Sequence, residues 1–146
     1  MSDLSKARLR LWIRLLRITR GAENELRDWL RTRHNTTLPR FDVMAALYRS
    51  KEGLTMTELS RMLLVSNGNA TAVVDRLEAD GMVKRKPSES DRRTVYVGLT
   101  PEGREVFARL ASEHEAEVSR IFDDLGAEDL AMVTALLRKI GGKVDA

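Results

Sequence analysis

The chain has 146 residues, with 25 Lys and Arg against 22 Asp and Glu and a net charge of +3 when both histidines are neutral. Hydrophobic residues make up 42% and charged residues 32%, a globular balance in a length that suits one domain with helical extensions. With no Cys and only His34 and His114, disulfides, thiol chemistry and a Cys/His metal cluster are excluded, and no apolar run approaches the ~18 residues of a membrane span.

Residues 5–33 read as one long helix. Leu11, Leu15, Ile18, Ala22, Leu26 and Trp29 recur at helical spacing, and neither Pro nor a turn cluster interrupts them. Leu9, Trp12, Ile13 and Leu16 form a second apolar face, so this helix must be covered from two sides, which a dimer does naturally. Its charges continue from the first residues onward, which is no signal peptide, and a soluble cytoplasmic protein is expected. The polar stretch from His34 to Thr37 breaks the pattern, with His34 in the loop. Pro39 suits the first turn of a helix over 39–50, which Gly53 is expected to cap. Thr55-Met56-Thr57-Glu58 is a capping-box pattern opening a short helix to about residue 63. A turn at Leu64, Val65 and Ser66 leads to a helix over 67–80, with Ala70, Val73, Val74 and Leu77 facing inward and Gly81 as its stop.

The period then changes from helical to alternating. Residues 82–86 and 94–99 read as two short strands joined by a polar, charged tip, hence a β-hairpin. Thr100-Pro101-Glu102 is a helix start. Two helices follow, over 101–123 and 127–140, with Gly126 between them and Gly141-Gly142 as the end. The fold class expected is mainly α with a small β-hairpin: a winged helix-turn-helix over 38–100, and a helical dimerisation region from 1–37 and 101–146.

A short helix, a tight turn and a longer helix make a helix-turn-helix, whose second helix fits the major groove of DNA. The start of that second helix offers Ser66, Asn67, Asn69 and Thr71, short donor and acceptor side chains near a helix N-terminus, with Gly68 allowing close approach. Arg76 lies further along the same helix. The hairpin adds Lys84, Arg85 and Lys86 on one strand and Arg92 and Arg93 at the tip. A guanidinium on a narrow projection can enter the minor groove, where the potential is most negative. Asp91 is unfavourable beside phosphate unless it pairs with one of these arginines and sets its direction. The candidate DNA-contacting set is therefore Ser66, Asn67, Asn69, Thr71, Arg76, Lys84, Lys86, Asp91, Arg92 and Arg93.

Charge is unevenly spread: residues 1–49 carry eleven basic and five acidic side chains, whereas residues 101–146 carry six and ten. Local basic stripes of this kind mark a polyanion binder better than the overall balance does. The first helix adds an acid-free run of Lys6, Arg8, Arg10, Arg14, Arg17 and Arg20 outside the helix-turn-helix.

Residues 91–103, DRRTVYVGLTPEG, resemble the wing signature of the MarR (multiple antibiotic resistance regulator) family of bacterial transcription factors. Residues 54–87 are similar to its recognition region, including Val74-Asp75-Arg76-Leu77 and the Gly81 turn. The resemblance spans essentially the whole chain. It implies a triangular homodimer held by the first and last two helices. Asp91 would direct Arg93 into the minor groove, and Ser66 to Thr71 would meet the major groove. A twofold dimer implies a pseudo-palindromic double-stranded operator with half-sites about one helical turn apart. A repressor is the family expectation. Ala70 stands where many members have Val before the Thr.

Many such repressors release DNA when a small anionic or phenolic compound binds. The absence of Cys removes peroxide sensing through thiols, and two distant histidines make metal sensing improbable, so no cofactor or metal is expected and a small-molecule effector remains. The stretches RLWIRLLRITRGAENELRDWL and TLPRFDVMAAL are similar to regulators of aromatic-acid catabolism, which points to an aromatic acid or its CoA thioester. Trp12, Leu16, Phe41 and Met44 would supply apolar walls, Arg17 a charge partner, and His34 and Arg40 the pocket mouth. An enzyme is disfavoured, because no Ser/His/Asp set has a plausible context and Ser66-Asn67-Gly68-Asn69 lacks the Lys of a phosphate-binding loop. The competing reading is a winged-helix protein-interaction module without specific DNA binding.

Overall fold

The computed structural model describes residues 2–63 and 67–144. The expected turn at Leu64, Val65 and Ser66 lies outside the described residues, as does the side chain of Asn67. In chain order the elements are α1 (Asp3–His34), α2 (Leu38–Tyr48), β1 (Leu54–Thr55), α3 (Met56–Leu63), α4 (Asn67–Ala79), β2 (Val83–Pro87), β3 (Val95–Leu99), α5 (Pro101–Ile121) and α6 (Ala127–Val144). The molecule is mainly α, with a small antiparallel sheet of order β1-β3-β2.

Each boundary has a local cause. The Ser2 side chain accepts the Ser5 N–H at 3.1 Å and opens α1, while Arg31, Arg33 and His34 complement the negative end of its dipole. His34 is thus the last residue of α1 rather than a loop residue, and Asn35, at φ 47°, supplies the left-handed cap. Thr37 caps α2 through the Arg40 N–H at 3.3 Å. Thr55 does the same for α3 through the Glu58 N–H at 3.2 Å, as the capping-box pattern predicts.

Two expected boundaries are corrected. Helix α2 ends at Tyr48, not at residue 50, and Gly53 is not its cap. Gly53, at φ +87°, turns the chain into β1, a strand the sequence reading lacks. A Cβ on this residue would lie 2.6 Å from the Val97 carbonyl oxygen. Leu54 then pairs with Val97, so the expected hairpin is one part of a three-stranded sheet. At the other end, α6 runs through Gly141-Gly142 to Val144. Glycine weakens a helix interior by about 1 kcal/mol but retains its N–H and carbonyl, so it need not stop one.

The core gathers Leu30 of α1, Val43 and Leu47 of α2, Leu59 of α3, Val74 of α4 and Val97 of β3, all essentially inaccessible to solvent. Phe107 and Leu110 of α5 close it. At about 1.5–3 kcal/mol per buried side chain, this cluster fixes α2 to β3 as one body and anchors the inner ends of α1 and α5 to it. The rest of the helical scaffold is bare. Trp12 and Ile18 on α1 are more than half exposed, as are Met132 and Leu136 on α6.

Candidate functional site

Helix α4 is positioned from below and stopped from above. Ala70, Val74 and Leu77 are buried, leaving Asn69 and Thr71 on the exposed side. At the C-terminal end the Met82 N–H reaches the Leu77 carbonyl at 2.9 Å and the Gly81 N–H reaches the Glu78 carbonyl at 3.1 Å. This double closure needs the left-handed φ of +78° at Gly81, and it reverses the chain into β2. Helix α4 therefore passes into the wing through a short, hydrogen-bonded turn over residues 80–82. Arg76, on the outward side, shares Asp80 at 3.4 Å.

The wing is braced at both ends. At its base Thr100 caps α5 through the Gly103 N–H at 2.9 Å and donates its hydroxyl to the Gly81 carbonyl at 2.7 Å. A Cβ on Gly103 would collide with the Met82 carbonyl, so the Leu-Thr-x-x-Gly signature is the joint that seats α5 against the start of β2. At its tip Asp91 accepts the Arg93 N–H at 3.0 Å through Oδ1 and the Thr94 hydroxyl at 3.2 Å through Oδ2. The expectation that Asp91 pairs with an arginine side chain is corrected here. Among the described residues no ion pair joins it to Arg92 or Arg93. A short carboxylate reaches the amide two residues on more readily than a guanidinium, so Asp91 shapes the turn through the main chain. Arg92 and Arg93 stay exposed on the braced tip.

Strand alternation divides the β2 cations. Lys84 and Lys86 point outward and are exposed. Arg85 points to α4, where Nη1 donates to Glu78 Oε1 at 2.7 Å and Nη2 donates to Asp75 Oδ1 at 2.6 Å. Partial burial works against its charge, but the bonds to Asp75 and Glu78 hold its proton more firmly than usual. Asp75, Glu78 and Arg85 thus clamp the wing to α4. Sequence reasoning placed Arg85 in a basic stretch and assigned no role to the two acids. A one-sided spacing of acids on a helix followed by a strand cation was the available signal.

The residues proposed to line an effector pocket do not converge. Trp12 is 57% exposed on the outer part of α1, with Leu16 and Arg17 beyond the core. Phe41 and Met44 are core residues at 7% and 4% exposure, and Arg40 is half-buried in the first turn of α2. His34 alone of that group lines a cleft of about 400 Å³ between α1 and α5, with Trp29, Arg33, Glu113, Glu117 and Arg120. There His34 Nε2 meets Glu113 Oε2 at 2.9 Å, and its ring lies 4.6 Å from that of Trp29. His114 stacks on Phe41 at 4.1 Å and stands 6.3 Å from Trp29, so the two histidines meet at one tryptophan despite their separation in sequence. Burial pushes the His114 pKa below its ordinary value. Among the described residues no group of three His, Cys, Asp or Glu is disposed to hold a metal ion, and no helix is long and apolar enough to cross a membrane.

Comparison with known proteins agrees with this geometry. Residues 34–94 match the MarR family. An uncharacterised helix-turn-helix transcriptional regulator of Bacillus subtilis, YkoM, is 33% identical over 82% of this chain and 76% of its own length. A MarR family transcriptional regulator from Silicibacter pomeroyi is similar in structure, with a TM-score of 0.82 at 30% identity and 99% of each chain covered. Sco3205, a MarR family regulator from Streptomyces coelicolor solved in complex with DNA, superposes with a TM-score of 0.82 at 26% identity, covering 93% of this chain and 86% of that one. An α4 seated on the core, a braced basic wing and these relatives lead to one conclusion: the chain belongs to the MarR family of DNA-binding transcriptional regulators.

Proposed function

We propose that the chain acts in the cytoplasm as a homodimeric repressor that grips a pseudo-palindromic operator and releases it when a small aromatic acid, or its CoA thioester, binds. The observation that carries the DNA reading is the wing: Asp91 fixes the turn, Arg85 ties the strand to α4, and Arg92 and Arg93 are left exposed. In this reading the residues from Ser66 to Thr71 meet the major groove, Arg76, Lys84 and Lys86 face backbone phosphates, and the tip enters the minor groove. The protein-interaction reading is less well supported, since relatives of the same fold are seen on DNA. Dimerisation is supported by the bare apolar faces of α1 and α6.

The cleft beside His34 is the best-placed site for the effector. Trp29 offers a ring face and Arg33 a partner for a carboxylate, while Arg120 is held by Glu25 at 3.1 Å and Glu117 at 2.6 Å and shapes the wall of the cleft. The cleft joins α1 to α5, so a ligand that favours one angle between them shifts DNA affinity only by its preference for that arrangement. The direct test uses a duplex selected from a random pool by repeated binding. Arg93→Ala should weaken its binding by about 1–3 kcal/mol, as loss of a groove contact does. Unchanged affinity would remove the wing tip from the interface.

A further inference from the structure

A second and larger cavity lies on the wing face turned away from α4. It is a groove of about 880 Å³ between the outer side of β2 and β3 and the turn that joins α2 to β1. Its floor includes two glycines. Gly98 occupies an outward position on β3, opposite Lys84, and Gly53 lies beside it. A Cβ on Gly98 would meet Gly53 Cα at 4.0 Å, an ordinary contact, so packing does not demand glycine there. Glycine within a strand leaves room for close approach by another group, and here it leaves the groove open.

The walls carry opposed charges in a definite arrangement. Lys84 and Lys86 stand two residues apart on β2, about 7 Å along the strand. Lys51 and Arg104 also line the groove, with the Arg104 guanidinium held 5.1 Å above the Tyr48 ring. Among the described residues none of these four cations is in an ion pair. Glu52, Glu58 and Glu89 are on the lining as well, and are likewise unpaired among the described residues. A bare inorganic anion would satisfy the cations and leave the carboxylates facing it. A ligand with an anionic end and several hydroxyl donors satisfies both.

We propose that this groove binds a phosphorylated sugar, with the phosphate among Lys84, Lys86 and Arg104 and the hydroxyls toward the glutamates. The volume is within the range of small-molecule sites. Lys84 and Lys86 would then serve two ligands, so the sugar phosphate and the operator weaken one another's binding by equal factors. That coupling rests on the DNA role proposed above. The binding itself does not, and it is read without DNA.

The test titrates the isotope-labelled full chain with glucose 6-phosphate, inorganic phosphate and glucose at constant ionic strength, following the Gly53 and Gly98 amide signals. The expected result is a saturable shift with glucose 6-phosphate, half-complete at or below about 1 mM. Inorganic phosphate and glucose should each bind at least tenfold more weakly. Gly98→Val, which fills the floor, and Arg104→Gln should each weaken the sugar phosphate at least tenfold, and Gly98→Val should leave operator affinity unchanged in its absence. If Gly98→Val does not fold, Gly98→Ala replaces it, since its Cβ makes only the 4.0 Å contact. Equal binding of inorganic phosphate, a shift that never saturates, or binding that survives the glycine and arginine variants would overturn the proposal.

Discussion

At the scale of single residues, the interface depends on groups that set geometry as well as on groups available to meet DNA. Asp91 shows the distinction. Its carboxylate is engaged by the Arg93 amide and the Thr94 hydroxyl, so it presents the neighbouring arginines without holding either side chain. Asp91→Ala should therefore weaken operator binding about tenfold, a loss of about 1.4 kcal/mol. Its effect on folding should stay within about 0.5 kcal/mol, as is usual for an exposed position. Filter binding and a denaturant melt on the same preparation check both halves of that expectation. Much at this scale was legible in the sequence. Thr55, Pro39, Gly81 and Thr100 act in place because capping and turn chemistry is local. The partner of Asp91 was not legible, because an amide two residues away and a guanidinium one side chain away look equally near in one dimension. The acids that restrain Arg85 were missed for a related reason: the ladder pairing that sets which side of β2 faces α4 is a tertiary fact.

At the scale of elements, periodicity and capping patterns located the six helices and both wing strands of the described residues, and periodicity failed where the signal is shorter than its period. Strand β1 has two residues, too few to alternate, and its existence depends on Gly53 turning toward Val97. The glycine pair in α6 misled in the other direction, since propensity is a weak cost and not a rule. The junction of α1, α2 and α5 was also illegible. Trp29, His34, Phe41 and His114 come from three helices and meet only once the fold exists. That junction carries a pH consequence. Burial lowers the His114 pKa in the folded state, so the unfolded chain takes up its proton first as pH falls. The stabilising contribution is fully present above the unfolded value near 6.5 and is lost as pH drops through the lower folded value. Relative to His114→Phe, the native chain should lose thermal stability as pH falls below about 6.5. Identical pH profiles for the two proteins would show that His114 is not the responsible group.

At the scale of the whole molecule, the compact winged-helix body leaves two long helical arms exposing their apolar sides. Leu130, Met132, Val133, Leu136, Leu137 and Ile140 of α6 are all at least 40% exposed, a surface that a lone soluble chain rarely carries. The need for a partner is already legible in the two-sided apolar spacing of α1, whereas the exposure of the α6 face emerges only with the fold. A second copy that covers these faces explains them, and Leu136→Glu should then turn the dimer into a monomer in sedimentation equilibrium at micromolar concentration. A chain that stays monomeric without the substitution would refute this. Dimerisation also sets how the two wings address DNA. On the function proposed above, two copies related by a twofold axis would place each α4 in a major groove about one helical turn from the other, near 34 Å, with the wings reaching outward to the flanking minor grooves. Hydroxyl-radical footprinting of the native chain and of Arg93→Ala on the selected operator tests this arrangement most directly. Two outer minor-groove protections are expected, placed symmetrically about the operator centre, both lost in Arg93→Ala while the central protection persists. A footprint without the outer pair, or one that Arg93→Ala leaves intact, would contradict it.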